Sequence, residues 1–228
     1  MLEELKNIVF RANLDLVKHG LVIHTWGNVS GRDPETGLIV IKPSGVSYET
    51  MKPEDMVVLD PSGKVIEGRF KPSTDAATHL ILYNSWPSVG GVVHTHSTYA
   101  TSWAQAGFDI PAFGTTHADH YHGEVPCTRK LTDEEITNDY ETNTGRVIVG
   151  RIGDSDPLEF PSALVSCHGP FCWGKDAREA VYNAVALEEI ARMAFNTVQL
   201  GQVEAVGKVL LDKHYLRKHG KDAYYGQK

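Results

Sequence analysis

The chain has 228 residues, with a hydrophobic content of 41% and a charged content of 22%, values that are ordinary for a globular protein. This length is enough for one large core, so we expect residues 1–228 to form a single domain rather than two small ones. The formal net charge of −7 argues against nonspecific nucleic-acid binding, which depends on neutralising phosphates with Lys and Arg. No apolar stretch approaches the roughly 20 residues needed to span a bilayer. The composition therefore predicts neither a nucleic-acid nor a membrane partner.

The N-terminal segment and the cysteines indicate a cellular location. Residues 1–20 are charged and helically periodic and lack a long apolar centre, so they do not resemble a signal peptide. Cys127, Cys167 and Cys172 form no Cys-x-x-Cys pair and leave one cysteine over. We therefore expect reduced thiols and a cytoplasmic protein.

Hydrophobic periodicity predicts the elements of the first third of the chain. Apolar residues at helical spacing predict a helix over 2–17 that ends at Gly20. Short apolar or alternating runs separated by turn residues then predict a hairpin-rich sheet. The expected strands cover residues 21–30, 38–42, 56–60 and 64–67.

Helices and strands alternate in the remainder. We expect helices over 75–83 and 97–105, a long helix capped by Asp176, and a last helix over 209–219 that ends at Gly220. Thr132 and Glu135 have the spacing of a capping box. The pattern predicts one α/β domain with a mixed, largely antiparallel sheet that helices cover on both sides. Further strands are expected over 91–96, 147–149 and 163–167.

Three histidines follow short apolar runs. In an extended strand, side chains two residues apart leave the same face, so His94 and His96 can converge on one point. His168 follows a second apolar run, and Asp75 stands at the start of a predicted helix. Each histidine alone also suits a hydrogen-bonded strand end. Together the four side chains predict a site for a borderline divalent cation such as Zn²⁺.

Three segments rich in glycine and small polar residues predict a phosphate site. They cover residues 25–30, 42–46 and 71–74, and two of them contain a lysine. Hydroxyls, backbone N–H groups and lysine are the groups that bind a phosphate. Ser73 and Thr74 also precede a helix, whose N-terminal dipole favours an anion. Each segment alone would suit an ordinary turn.

Two further segments carry acid–base groups without revealing their roles. Residues 114–122 contain His117, Asp119, His120 and His122, of which we expect His120 and His122 to be exposed. Residues 213–226 are basic and aromatic, as a solvated terminal helix would also be. From the residues alone, neither segment is assigned to the metal site.

The motifs GNVS, KPSG, KPSTD, VVHTHS, GTTHAD, SCHGPFCWGK and LLDKHYLRKHGKDAYYGQ, in this order, resemble those of the class II (metal-dependent) aldolase/epimerase family over nearly the whole chain. The last motif is similar to that of the epimerases rather than the aldolases. The resemblance implies the class II aldolase fold, a three-layer α/β/α domain with a central, mostly antiparallel mixed sheet. It also implies a homotetramer with active sites between neighbouring subunits, each completed by the C-terminal tail 209–228.

The resemblance also implies a role for individual residues. One Zn²⁺ per subunit, with Mn²⁺ or Co²⁺ as substitutes, would be bound by Asp75, His94, His96 and His168. The acid–base pair would be Asp119 and Tyr225, contributed across a subunit boundary. The substrate phosphate would meet Gly27, Asn28, Lys42, Ser44, Gly45, Ser73 and Thr74. Supporting roles would fall to Thr115, Glu141, His214 and Arg217.

The implied activity is the interconversion of L-ribulose 5-phosphate and D-xylulose 5-phosphate. Carbon 4 of a ketopentose phosphate is not adjacent to the carbonyl, so its proton is not acidic enough for direct removal. Breaking and re-forming the carbon 3–carbon 4 bond inverts this carbon instead, and a cation stabilises the negative charge that develops on oxygen. Two proton-transfer groups on opposite sides are then required, one for each epimer.

Other functions share parts of this pattern. A sister aldolase acting on L-fuculose 1-phosphate would have the same fold, and a noncatalytic metal-binding or sugar-phosphate-sensing module would need the same residues. The long helical stretch over 176–199 argues against an all-β cupin, which also uses His-x-His. The carbohydrate pathway stays open between arabinose catabolism, an ascorbate route and other pentose routes.

Overall fold

A computed structural model of the chain describes residues 2–225, so Met1 and residues 226–228 of the predicted tail lie outside the described part. Within residues 2–225, seven strands form one sheet. In chain order they are β1 (Gly27–Arg32), β2 (Ile39–Ile41), β3 (Val57–Leu59), β4 (Val65–Glu67), β5 (Gly91–Thr95), β6 (Ser162–Val165) and β7 (Gly169–Gly174). Their spatial order is β4-β3-β2-β1-β5-β7-β6, and neighbouring strands pair antiparallel throughout.

Eight α-helices lie within residues 2–225, together with a short 3₁₀ helix at Pro53–Asp55. Within the same residues, none of these helices combines the length and apolarity needed to cross a lipid bilayer. The α-helices are α1 (Glu3–Lys18), α2 (Ala76–Ser85), α3 (Thr98–Ala106), α4 (Thr115–Ala118), α5 (Asp133–Thr137), α6 (Tyr140–Ile152), α7 (Ala177–Gln199) and α8 (Lys208–His219).

Two apolar cores, one on each face of the sheet, give the fold its three layers. Helices α1, α3 and α7 pack on one face, where Val93 and Cys172 point. Helices α2 and α6 cover the other face, where Val92 and Trp173 point. This alternation follows from the two-residue period of a strand, because Val92 pairs with Trp173 and Val93 with Cys172. The predicted three-layer α/β/α arrangement around a mostly antiparallel sheet is confirmed.

Most predicted elements exist, and the helix starts at Thr132 and Asp176 are confirmed. The Thr132 side chain accepts from the Glu135 N–H in a capping box, and Asp176 accepts from two N–H groups of α7. The three cysteines are free, as expected. The expectation of a mixed sheet is met only by an isolated parallel bridge between Cys127 and Leu164.

The prediction of a strand over 147–149 is wrong. These residues lie in α6, where Val147, Ile148 and Ile152 are buried at helical spacing. A three-residue apolar run does not distinguish a buried helix from a strand, and here the helix gives the better burial. The sequence analysis also missed β7, because Gly169 and Pro170 at its start indicate a break rather than a strand.

Candidate active site

Two neighbouring strands and a tight turn bring the three predicted histidines together. His94 lies on β5, paired with Asn28 of β1 on one side and with Phe171 of β7 on the other. His96 follows the end of β5, and His168 closes the three-residue turn between β6 and β7. The candidate ligand atoms of these histidines all lie within 4.8 Å of one another.

The group is buried on one side and open on the other. His94 is 2% exposed and stacks on the Phe171 ring at a centroid distance of 4.2 Å. His168 is half-buried and His96 is exposed. Burial, together with the neighbouring His94 and His96, lowers the pKa of His168 to about 3. Partial desolvation of its ring, together with the neighbouring His94, also lowers the pKa of His96, so both imidazoles are neutral near pH 7, the state in which histidine binds a metal.

Hydrogen bonds orient two of the rings for this role. The Pro170 carbonyl accepts from Nδ1 of His94 at 3.0 Å. Because a carbonyl only accepts, this nitrogen carries the proton and the Nε2 lone pair is free. Nδ1 of His168 lies 3.2 Å from the Tyr140 hydroxyl, and in the tautomer in which this hydroxyl accepts, Nε2 is likewise free to bind a metal. The donor set therefore fits a divalent cation of the kind that imidazole prefers.

Asp75 lies at the N-terminal boundary of α2 and faces the same pocket. Its carboxylate accepts from the Asn28 amide at 2.7 Å and from the Ser73 hydroxyl at 3.5 Å. Burial raises the pKa of Asp75, but the nearby imidazoles and the Asn28 amide lower it by more, so the net shift is downward. Asp75 is not part of the tight three-histidine group, and its role as a fourth ligand stays a prediction.

A pocket of about 580 Å³ joins this group to the segments 25–30, 42–46 and 71–74, which are rich in small polar residues. We call it the histidine pocket. It contains every residue that the sequence assigned to the phosphate, whose role there stays a prediction. Its lining comprises Thr25, Trp26, Gly27, Asn28, Lys42, Pro43, Ser44, Gly45, Ser73, Thr74, Asp75, His94, His96, Tyr140, Glu141 and His168.

Glycine is required at two of these positions. Gly27 has φ +156°, and a Cβ there would lie 2.9 Å from the His94 carbonyl oxygen and 2.6 Å from a Val22 methyl group. Gly45 has φ +68° with open space around it, so its conformation rather than crowding selects glycine. The first glycine lets β1 approach the end of β5 closely, and the second turns the loop that follows β2.

Lys42 lines the pocket but does not extend its ammonium group into it. Its side chain is 2% exposed, and Nζ donates to the carbonyl oxygens of Val46 at 2.8 Å and Pro43 at 3.2 Å. Burial lowers the pKa of this ammonium to about 8. Among the described residues no carboxylate forms an ion pair with Lys42, so an anion in the pocket would be drawn to an uncompensated charge.

Asp119 and Tyr225 lie elsewhere in this chain. Asp119 follows α4, and its carboxylate accepts from Arg217 at 2.8 and 2.9 Å and pairs with His214 at 3.0 Å. Burial raises the pKa of Asp119, but the hydrogen bonds from Arg217 and His214 lower it by more, giving a net downward shift. Tyr225 is 61% exposed and lies over the charges of Arg217 and Lys218. Neither residue lines the histidine pocket; Asp119 lines a second cleft with residues that include Lys218 and His219, which we call the Asp119 cleft.

The predicted supporting residues lie in different places, and two of them, His214 and Arg217, contact Asp119. Glu141 lines the histidine pocket and Thr115 is exposed at the first position of α4.

The expectation that His120 and His122 are exposed is wrong, since both are half-buried. His122 pairs with Asp212 of α8 at 2.7 Å, and docking of that helix explains the burial of His122.

The sequence analysis missed two residues near the three histidines, Tyr140 and His79. Tyr140 lines the pocket from the start of α6, and no local pattern marks it, because only the packing of α6 beside the β6–β7 turn brings it there. His79 is fully buried below Asp75, with Nδ1 2.7 Å from the Ser30 hydroxyl. Its spacing of four residues from Asp75 on a helix was a usable signal.

The fold and the site define a class of protein: an α/β/α protein with an antiparallel sheet in which a three-histidine group lies at the ends of interior strands, beside loops rich in small polar residues. The chain belongs to the family described as Class II Aldolase and Adducin N-terminal domain, which matches residues 7–195. Together with the site, this membership identifies an enzyme of the class II aldolase/epimerase superfamily, whose aldolases are typically metal-dependent.

Solved structures support this assignment. An L-fuculose 1-phosphate aldolase is 25% identical, with 92% of this chain and 94% of that chain covered and a TM-score of 0.79. YgbL from Escherichia coli, titled a putative aldolase/epimerase/decarboxylase, is 22% identical, with coverage of 92% and 97% and a TM-score of 0.74. The L-fuculose 1-phosphate aldolase from Glaciozyma antarctica PI12 is 18% identical, with coverage of 97% and 84% and a TM-score of 0.77. The last two show similarity of fold alone.

Proposed function

We propose that this chain is an L-ribulose-5-phosphate 4-epimerase, which interconverts L-ribulose 5-phosphate and D-xylulose 5-phosphate. The observation that carries the proposal is the histidine pocket, in which the three-histidine group and Asp75 lie beside the segments rich in small polar residues. A chelating sugar and its phosphate could therefore be held together in one pocket.

Asp75, His94, His96 and His168 would hold one Zn²⁺ per subunit, with Mn²⁺ or Co²⁺ as substitutes. When bound, the ion would act as a Lewis acid toward substrate oxygens. The Pro170 carbonyl and the Tyr140 hydroxyl would keep two of the imidazoles in their binding orientation.

The loops would bind the other end of the substrate. The hydroxyls of Ser44, Ser73 and Thr74 and the backbone at Gly45 would donate to the phosphate, and Asn28 would bridge the phosphate loops and Asp75. After cleavage between carbon 3 and carbon 4, the phosphate holds the aldehyde fragment at one end. The aldehyde group can then rotate about the carbon 4–carbon 5 bond. The carbon 3–carbon 4 bond then forms again on the opposite face, which inverts carbon 4.

Asp119 and Tyr225 would transfer the protons to and from the carbon 4 hydroxyl, one for each epimer. Because neither residue lines the histidine pocket of its own chain, we propose that they act in the pocket of a neighbouring subunit. The protein would then be a cytoplasmic homotetramer of single domains, residues 1–228, in which the tail 209–228 completes a neighbour's site.

The carboxylate at position 75 favours the epimerase over an aldolase. Aldolases of this family commonly have glutamate there and use it to move a proton on carbon. The shorter Asp75 is held by Asn28 and would stay at the metal, so the cleaved fragment is not protonated. Asp75→Glu should then raise the release of free dihydroxyacetone from L-ribulose 5-phosphate, and an unchanged level would contradict this role.

A second candidate is a sugar-phosphate aldolase, which the 25% identity to an L-fuculose 1-phosphate aldolase favours. Incubation of the purified enzyme separately with L-ribulose 5-phosphate and L-fuculose 1-phosphate separates the two. D-Xylulose 5-phosphate from the first substrate supports the epimerase, whereas aldehyde fragments from either support the aldolase. A noncatalytic module would turn over neither substrate before or after chelation and reloading with Zn²⁺.

A further inference from the structure

Tyr48 lies beneath the histidine pocket without lining it. It is 7% exposed and packs within the apolar core below β1 and β2. Its hydroxyl donates to the Gly27 carbonyl oxygen at 2.7 Å. The residue is buried, carries one polar atom, and uses that atom on the backbone at the start of β1.

The Tyr48 ring also supports the neighbouring loop. Nζ of Lys42 lies 4.8 Å from the ring centroid, a distance at which a cation is attracted to an aromatic face. The same ammonium donates to the carbonyl oxygens of Pro43 and Val46, which flank Ser44 and Gly45. Tyr48 therefore contacts the lysine that fixes the shape of this loop.

The segment 71–74 is joined to the Lys42–Val46 loop through the backbone. The Ser73 N–H donates to the Lys42 carbonyl oxygen at 3.0 Å, and the Ser44 N–H donates to the Lys71 carbonyl oxygen at 3.0 Å. The segments 25–30, 42–46 and 71–74 are thus all connected by contacts to Tyr48, either through Gly27 or through Lys42.

We propose that Tyr48 is a positioning residue for the anion-binding loops, holding the Gly27 turn and the Lys42–Val46 loop at a fixed separation from below. This inference rests on the proposed function, because it takes these loops to bind the substrate phosphate. Tyr48 touches no substrate. It acts through Gly27 and Lys42, so it governs binding of the phosphate and leaves the chemistry at the histidines unchanged.

The test uses Tyr48→Phe, which removes only the hydroxyl, and Tyr48→Leu, which also removes the ring. The dissociation constant of inorganic phosphate is measured by calorimetry, and KM and kcat with L-ribulose 5-phosphate. Tyr48→Phe should raise the phosphate dissociation constant and KM together by about 5- to 10-fold, the range expected for one buried hydrogen bond. Tyr48→Leu should raise both further. In Tyr48→Phe, kcat should stay within about twofold, as for a loss of uniform binding, and the bound metal per subunit should not change.

Tyr121→Phe is the matched control. Tyr121 is fully buried, and its hydroxyl bonds Ser162 of β6, away from the loops, so its loss should leave phosphate binding unchanged. An unchanged phosphate dissociation constant in Tyr48→Phe, or an equal rise in Tyr121→Phe, would overturn the inference, as would wild-type protein that binds no phosphate. If the wild type binds phosphate but converts no sugar phosphate, the proposed function fails while the binding comparison still decides the role of Tyr48.

Discussion

The histidine pocket and the Asp119 cleft differ in how the chain assembles them. The histidines of the pocket lie on β5, just after it, and in a three-residue turn between β6 and β7, while loops and the starts of α2 and α6 complete its lining. The cleft depends on α8, a terminal helix whose contacts reach back about a hundred residues to Asp119. The residues proposed to hold the metal and the phosphate therefore all come from one chain, whereas groups carried on a terminal helix can serve a neighbouring subunit. The predictions below test this division.

The largest effect is expected for His168→Asn. Removing one imidazole from the three-histidine group should abolish stoichiometric metal binding and lower turnover by roughly 10²- to 10³-fold, as for the loss of a group that stabilises developing charge. Metal content and kcat/KM check this. His19→Asn, an exposed histidine at the end of α1, should change neither, and a His168→Asn protein that keeps its metal would contradict the assignment.

The second effect concerns Asp119→Asn, which should lower turnover by about 10²-fold through loss of a proton-transfer group while metal binding is retained. If active sites lie between subunits, the Asp119→Asn and His168→Asn variants can complement each other when equal amounts are unfolded and refolded together. A complete site then combines the intact histidines of one subunit with the intact Asp119 of its neighbour. Random pairing completes one site in four, so about a quarter of wild-type activity should return. Each variant refolded alone is the control. No recovery in the mixed sample would indicate that the two regions act within one chain or not at all.

The sequence predicted the histidine pocket better than the cleft, for a physical reason. His94, His96 and the loops around Gly27 and Ser73 carry their own local signals, since strand period and turn residues determine where such side chains point. Tyr140 gives no such signal, because its position follows from how α6 packs. The burial of Lys42 was also missed: a lysine in a glycine-rich loop suggests a free ammonium group, and only the structure shows it bonded to Pro43 and Val46.

The third prediction concerns the pH dependence of stability contributed by Lys42. Its pKa falls from 10.5 to about 8 in the folded protein because of burial, so the unfolded chain binds more protons between these values. Stability should therefore rise with pH across this window. Lys42→Met should lose this rise, a difference on the order of 2 kcal/mol between pH 8 and pH 10. Urea unfolding at several pH values measures the free energy of unfolding, and Lys71→Met, at an exposed lysine, is the control. If the free energy of unfolding depends on pH in the same way in wild type and Lys42→Met, the lowered pKa of Lys42 is contradicted.

The smallest effect is expected at the cleft, for Arg217→Gln. Arg217 and His214 hold Asp119 ionised, so their contribution to stability is present above the usual carboxyl pKa and is lost as pH falls through the lowered value. The variant should be less stable than wild type at neutral pH and respond less to acid. Hydrogen exchange should increase over α8 while β5 and β7 keep their protection, because the sheet does not depend on this helix. Equal loosening of the strands would show that the two regions are a single cooperative unit, and the division between pocket and cleft would then be wrong.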